Sequence, residues 1–256
     1  MSSKWSVVDV LPPLGDEEVQ LWRIELDGAE NLIDRYSSLL SAAEQTQARR
    51  HRAGLVRDHF IVGRACLRVL LGNAFGIGSR DVSIAKGING KPETPPIGGR
   101  SISFNIAHSK GTVLIALGRQ GPVGVDVEYL DRLTDTMEVA RANFTENESN
   151  KLAAISDPET RLRAFYCYWT RKEAIVKADG RGLLLPLASF DVSFDSMDAQ
   201  AVRVTETSDA EGKVYFVTDL DLGDKAVAAL ALESSKSRVS RFLFPLDLHH
   251  AAEAEQ

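Results

Sequence analysis

Between residues 160 and 179 the apolar positions repeat with a helical period. Leu162, Phe165, Tyr166, Trp169 and Val176 form one seam, and Gly180 fits the cap that ends it. Glu173 falls four residues after Trp169, on or beside this seam, and Lys177 follows one turn later. A carboxylate on a packed face needs a cation or a metal as partner. A local Glu–Lys pair, worth ~0.2–0.5 kcal/mol to a helix, is the other reading of the same spacing. The periodicity also predicts helices from about residue 30, over 56–74 (Val56, Phe60, Gly63, Leu67, Leu70, Leu71 and Ala74 on one side) and over 137–155. Ser41 and Glu44 have the spacing of a capping box. Alternating or continuous apolar runs predict strands over 4–10, 20–27, 102–106, 112–117, 123–128, 190–194, 201–205, 213–220 and 226–232. Residues 81–100, rich in glycine and proline, read as loop, and the polar tail from His249 as loose.

Strand 123–128 carries a chemical signal. Val123, Val125 and Val127 take one face, and Gly124, Asp126 and Glu128 take the other. The two carboxylates lie ~6.5–7 Å apart at Cα and point the same way. On an otherwise apolar strand they repel unless a cation lies between them, and glycine at 124 leaves room for something to approach the backbone. Arg57, Arg64 and Arg68 share a stripe of the 56–74 helix, with Arg49, Arg50 and Arg52 just before it. Such a group is either a solvated face or an anion site. His108-Ser109-Lys110-Gly111 turns the chain tightly and puts His108 and Ser109 at a sheet rim. Gly90-Lys91 is followed by proline and lacks the spacing of a phosphate-binding P-loop. Residues 118–122 are the candidate linker, dividing the chain into an N-terminal half, 1–119, and a C-terminal half, 120–256.

Composition narrows the function classes. With 256 residues, 44% hydrophobic and 26% charged, the chain can bury a sizeable core and reads as soluble and globular. Its net charge of -6 argues against nucleic-acid binding by bulk electrostatics. No run of ~18 apolar residues predicts a membrane span. Met1 to Pro13 lacks a basic region followed by an apolar core, and Cys66 and Cys167 sit in apolar helical patterns as buried thiols. A cytoplasmic location is the expectation.

Taken together, Asp126, Glu128 and Glu173 offer oxygen ligands suited to magnesium, and lysine, histidine and arginine nearby suit a polyanionic phosphate substrate. The chemistry expected is phosphoryl-type transfer. These residues also carry a resemblance. Gly124-Val-Asp126-Val-Glu128, followed about forty residues later by Trp169-x-x-Lys172-Glu173-Ala174-x-x-Lys177-x-x-Gly180-x-Gly182-Leu183, resembles the signature of 4'-phosphopantetheinyl transferases. Gly90-Lys91-Pro92 and Phe104-Asn105-Ile106-Ala107-His108-Ser109 resemble two further motifs of that family. The resemblance spans roughly residues 40–195, and its length and order match the two-lobed, surfactin-synthetase-activating (Sfp-type) class.

The resemblance implies an α+β fold of two similar α/β-type halves related by a pseudo-twofold, monomeric, with coenzyme A in the cleft between them. The N-terminal half would supply phosphate and adenine contacts, the C-terminal half the magnesium and catalytic motifs. The implied enzyme is a magnesium-dependent holo-[carrier-protein] synthase. It moves the 4'-phosphopantetheine arm of coenzyme A to a serine of an apo acyl or peptidyl carrier protein and releases 3',5'-ADP. Carriers of fatty-acid, polyketide and nonribosomal-peptide synthesis all qualify. By motif position Asp126, Glu128 and Glu173 would hold magnesium, and Glu173 would also serve as base. Lys177 would stabilise charge on the pyrophosphate or leaving group, and His108 would contact a coenzyme A phosphate. Lys91 would sit near the 3'-phosphate, helped by Arg50 and Arg64.

Two departures stand out. Ala107 replaces the serine usual before the histidine, a contact that Ser109 could supply, and Glu44 and Gln47 stand where basic residues precede the arginine pair. Arg141, Lys151 and exposed apolar residues between about 137 and 155 are the candidate carrier-docking surface. Two other function classes compete: a non-catalytic module binding coenzyme A or carrier, and a magnesium-dependent pyrophosphate hydrolase.

Overall fold

The computed structural model describes residues 4–26, 32–51, 54–87, 89–131, 135–194, 200–206 and 209–247. Arg52 and the tail from His249 lie outside the described residues. In chain order the elements are β1 (Ser6–Val7), β2 (Glu18–Glu25), α1 (Ile33–Ser37), α2 (Ala42–Arg50) and α3 (Leu55–Phe75). A small hairpin, β3 (Ala85–Lys86) and β4 (Pro92–Glu93), precedes β5 (Ser103–Ser109), β6 (Thr112–Gly118) and β7 (Val123–Tyr129). Helices α4 (Thr136–Asn143), α5 (Glu146–Ala154) and α6 (Pro158–Asp179) follow, then β8 (Gln200–Glu206), β9 (Asp209–Leu220), β10 (Ala226–Leu232) and β11 (Arg238–Leu243).

The strands form two main sheets, ordered β1-β11-β2-β6-β5 and β7-β10-β9-β8. Side-chain alternation decides how they stack. In the first sheet Trp22, Ile24, Val113, Ile115 and Leu117 pack with Leu67, Leu70 and Leu71 of α3. The opposite face, Val19, Leu21, Leu114 and Ala116, meets Val123, Val125, Val127, Ala228 and Leu230 of the second sheet. The far face of that sheet, including Val227, Ala229 and Ala231, packs with Phe165, Ala174, Ile175 and Ala178 of α6. The layers therefore run helix, sheet, sheet, helix, and β6 is buried on both faces as its continuous apolar run predicts.

Several expectations need correction. The helix expected over 137–155 is two helices, because Thr145 caps α5 through a capping box with Glu148 and ends α4 at Phe144. Residues 190–194 form no strand. The buried Lys172 ammonium lies 2.8 Å from the buried Glu148 carboxylate and donates to the carbonyls of Leu187 and Phe190, while the Val192 N–H donates to Glu148. Side chains thus satisfy the backbone that a ladder would otherwise pair. The expected strand 4–10 shrinks to Ser6–Val7, and the glycine-rich 81–100 segment holds the β3–β4 hairpin. The sequence reading missed β11, which pairs parallel to both β1 and β2 and brings the chain end back to the first sheet. Among the described residues no helix is long and apolar enough to cross a membrane.

Candidate active site

Gly124 decides how close α6 comes to β7. A Cβ built there would lie 2.0 Å from the Ala174 carbonyl oxygen and 2.4 Å from the Ala178 nitrogen. Helix backbone fills the room that glycine leaves, and Asp126, two residues on, faces the same helix. Lys177 reaches across to it, with Nζ 2.6 Å from Asp126 Oδ1. The local i,i+4 reading of Glu173 and Lys177 therefore gives way to a contact between elements for Lys177.

The first sheet contributes its edge strand. Asn105 Oδ1 accepts the Val125 N–H at 2.9 Å and ties β5 to β7. Ser109 Oγ donates to Glu128 Oε2 at 3.1 Å and accepts the Tyr129 N–H. His108, beside it, has its pKa lowered by partial burial and by the neighbouring charges of Lys177, His59 and His51. Asp126, Glu128, Glu173, Lys177, His108 and Ser109 thus form one neighbourhood, since the three acids also act on one another electrostatically. Asn105 escaped the sequence reading although it lies within a quoted motif, because an amide in a strand carries no charge signal.

Of the other expected residues, Lys91 touches the backbone of the same β7 and α6, while Arg64 and Arg50 have other surroundings. Lys91 Nζ donates to the carbonyls of Val123 and Lys177, at 3.2 and 2.5 Å, and Asn89 Nδ2 donates to the Gly180 carbonyl. The β3–β4 hairpin is thereby pinned at the end of α6. Burial pushes the Lys91 pKa down to about 8, with Glu93 and Asp179 opposing it. Arg64 pairs with Glu44 at 3.7 Å, and Arg68 pairs with the same carboxylate at 2.6 Å while also donating to the Ser79 carbonyl. Glu44, conspicuous in the sequence at an expected basic position, closes the capping box with Ser41 and pairs with both arginines, offsetting one of their two charges. Arg50 instead lines a pocket of about 730 Å³, together with Ala42, Ala43, Thr46 and Gln47 of α2, His51 and Lys86.

Whether the acids suit a divalent cation can be tested on their surroundings. Asp126 Oδ2 is buried without a hydrogen-bond partner. Burial raises the Asp126 pKa to about 7; Lys177 opposes the shift, and Glu128 and Glu173 add to it. Glu128 is raised by burial and by Glu173. All-carboxylate donors with mutual repulsion match a hard cation in chemistry. Among the described residues, however, no group of three or more His, Cys, Asp or Glu side chains is gathered closely enough to enclose one. Lys177 supplies the positive charge at Asp126.

This gives a pH prediction for the metal-free protein. Asp126 binds its proton more tightly folded, at about 7, than at its ordinary value of 3.8. Its stabilising contribution is therefore full below about pH 4 and lost as pH rises through about 7. Asp126→Asn is expected to flatten that fall, measured as melting temperature against pH in a chelator. Parallel wild-type and variant curves would rule out the buried acid.

Comparison with known proteins identifies the family. A family model described as the 4'-phosphopantetheinyl transferase superfamily matches residues 122–231, the segment from β7 through α6 to β10. The 4'-phosphopantetheinyl transferase HetI of a Nostoc species is 31% identical over 220 residues, covering 84% of this chain and 88% of the relative. The 4'-phosphopantetheinyl transferase Sfp of Bacillus subtilis is 27% identical over 199 residues, covering 77% and 85%. The 4'-phosphopantetheinyl transferase AcpT of Escherichia coli is 33% identical over 161 residues, covering 62% and 77%. On the extent of these matches, the chain belongs to the 4'-phosphopantetheinyl transferase superfamily.

Proposed function

We propose that the protein moves the 4'-phosphopantetheine arm of coenzyme A onto a serine hydroxyl of an apo acyl or peptidyl carrier protein and releases 3',5'-ADP. The observation that carries this reading is the meeting of three elements. β7 brings Asp126 and Glu128, α6 brings Lys177 onto Asp126, and the β5 rim brings Ser109 onto Glu128. Superfamily membership makes coenzyme A the donor. Each of the two sheets carries one long helix, α3 or α6, which supports two similar halves with the coenzyme between them, although β11 crosses from the C-terminal half, 120–256, into the sheet of the N-terminal half, 1–119.

In this reading the carrier serine oxygen forms a bond to the β-phosphorus. The bond from that phosphorus to the bridging oxygen breaks, and 3',5'-ADP departs with the electron pair. Glu173 takes the serine proton, directly or through water. Lys177, freed from Asp126 or shared with it, offsets charge on the departing phosphate. His108 and Ser109 orient the phosphates from the other sheet. Asp126, Glu128 and Glu173 are the residues that would hold magnesium, which when bound neutralises pyrophosphate charge. Arg50 meets the adenosine end at its pocket, and Arg64 shares the Glu44 carboxylate with Arg68. Lys91 holds the hairpin through two carbonyls and keeps a third N–H for a phosphate. The chain works as a cytoplasmic monomer, and the exposed Arg141 and Lys151 face an acidic carrier.

Incubation with coenzyme A, magnesium and a panel of apo carriers, followed by weighing of the carrier, tests the reading. A gain of one phosphopantetheine on the serine is the expected result. An unmodified panel with coenzyme A intact leaves a binding module. An unmodified panel with free phosphopantetheine leaves a hydrolase.

A further inference from the structure

The turn between β5 and β6 grips the strand that carries the acids. Ser109 and Thr112 close this turn as directly paired residues. Like Ala107 and Leu114, two places along each strand, they face the second sheet. Tyr129, at the end of β7, shares the face of Val123, Val125 and Val127 and so faces them. Both ends of the turn hold it. The Tyr129 N–H donates to Ser109 Oγ at 3.3 Å, and its phenol oxygen lies 3.0 Å from Thr112 Oγ1. Lys110, inside the turn, places Nζ 5.4 Å from the centre of the Tyr129 ring. It does so from a φ of 46°, alone among the described non-glycine residues in the left-handed region. Such a backbone persists only where its surroundings hold it.

Counting protons gives the contact a direction. Thr112 Oγ1 donates to Glu25 Oε2 at 3.0 Å. A hydroxyl has one proton, so the Tyr129 phenol donates to Thr112. The two hydroxyls thus form a bridge from β7 through β6 to β2, ending at a carboxylate that Arg23 also pairs. Thr112 is 1% exposed, so water does not replace a bond lost at its oxygen. On the other side of the turn Ser109 Oγ donates to Glu128 Oε2 at 3.1 Å. One turn of the first sheet therefore holds both the end of β7 and the acid beside it.

We infer that Thr112 and Tyr129 are positioning residues, whose hydroxyl bridge fixes the 108–111 turn on β7 and so sets where His108, Ser109 and the Glu128 carboxylate stand. The inference rests on the transferase reading above. Thr112 and Tyr129 act through Ser109 and Glu128, as groups standing behind a site orient the ones that meet the substrate. With the bridge cut, the geometry at the phosphates suffers and the approach of the carrier does not.

The test sets activity against stability. Thr112→Val keeps the branched shape and removes the hydroxyl, while Thr112→Ser keeps the hydroxyl and removes the methyl. Thr112→Val should lower kcat about tenfold and leave the KM for the carrier within about twofold. Thr112→Ser should keep kcat within about twofold of wild type, although valine suits a buried strand better and should melt no lower than serine. Tyr129→Phe, at the half-buried end of β7, should match Thr112→Val. The double variant should lose no more than about twofold beyond either single one, because both cut the same bond. Wild-type kcat in Thr112→Val, equal losses for valine and serine, or losses that multiply in the double variant overturn the inference. If Thr112→Val folds poorly, kcat of Tyr129→Phe decides. If the wild type modifies no carrier, the transferase reading fails, and hydrogen exchange reads the bridge by itself. Amides of residues 108–111 should then exchange about tenfold faster in Tyr129→Phe than in wild type, with those of β10 unchanged. Equal rates at 108–111 overturn the bridge.

Discussion

Glu173→Gln is expected to lower the rate of carrier modification by about a thousandfold or more while the protein stays folded. Glutamine keeps the size and shape of the side chain and removes only its charge and basicity. Glu173 is half-buried on α6, between Lys172 and Ala174, which are fully buried and anchor the helix without it. Its loss also relieves the repulsion that raises Asp126 and Glu128. The melting temperature should accordingly stay within about 3 °C of wild type, or rise slightly. Intact-mass measurement of the carrier over time gives the rate, and calorimetry with 3',5'-ADP shows whether the coenzyme site survives. Activity within tenfold of wild type would remove Glu173 as both cation ligand and base.

Gly124→Ala should act through structure, and strongly. The added methyl would sit 2.0 Å from the Ala174 carbonyl and 3.0 Å from the Ala178 Cα, both helix backbone that cannot swing aside. Either β7 or the whole of α6 must shift. The expected cost is about 3 kcal/mol or more, at the upper end for forcing a methyl into a packed core. In a chain of this size that lowers the melting temperature by roughly 6–12 °C. The same shift moves Asp126 and Glu128 away from Glu173 and Lys177, and a displacement of ~1 Å can cost about a hundredfold in rate. Differential scanning calorimetry and the carrier assay read the two effects together. A variant with wild-type melting temperature and rate would mean that α6 does not lie on β7 as described.

Much of the site was legible because its elements obey simple periods. Alternation put Asp126 and Glu128 on the face of β7 opposite the valines, and the helical period brought Glu173 and Lys177 to the packed side of α6. What a single period cannot reveal is who stands across the gap. Lys91, read as loop in its glycine-proline setting and set near a phosphate only by the family resemblance, also donates to two carbonyls supplied by long-range folding. Glu44 read as a lost basic position and proves to be the counter-charge of Arg64 and Arg68. The aromatic seam of α6 hid Arg171 and Lys172, both buried, because charged residues are expected outside unless a partner such as Asp219 or Glu148 comes from far along the chain. Thr145 and Glu148 carried a readable capping box that the apolar period over 137–155 obscured. His51 gave no signal at all, since a lone histidine after a helix is ordinary until a pocket forms around it.

β11 has a consequence for how the protein comes into being. It lies inside the first sheet, between β1 and β2, and Arg238 touches Glu18 across 220 residues of chain. On a ribosome moving at ~5–20 residues per second, β2 waits roughly 10–40 s for that neighbour. Until then its outer edge stands open as a template for unwanted pairing, and β1 has nothing to pair with. The N-terminal half therefore cannot finish ahead of the C-terminal one. Cutting the chain at the 118–122 connection would leave three strands with an exposed edge rather than an autonomous lobe. The strand that contributes nothing to the chemistry thus makes the assembly of the two halves a single event.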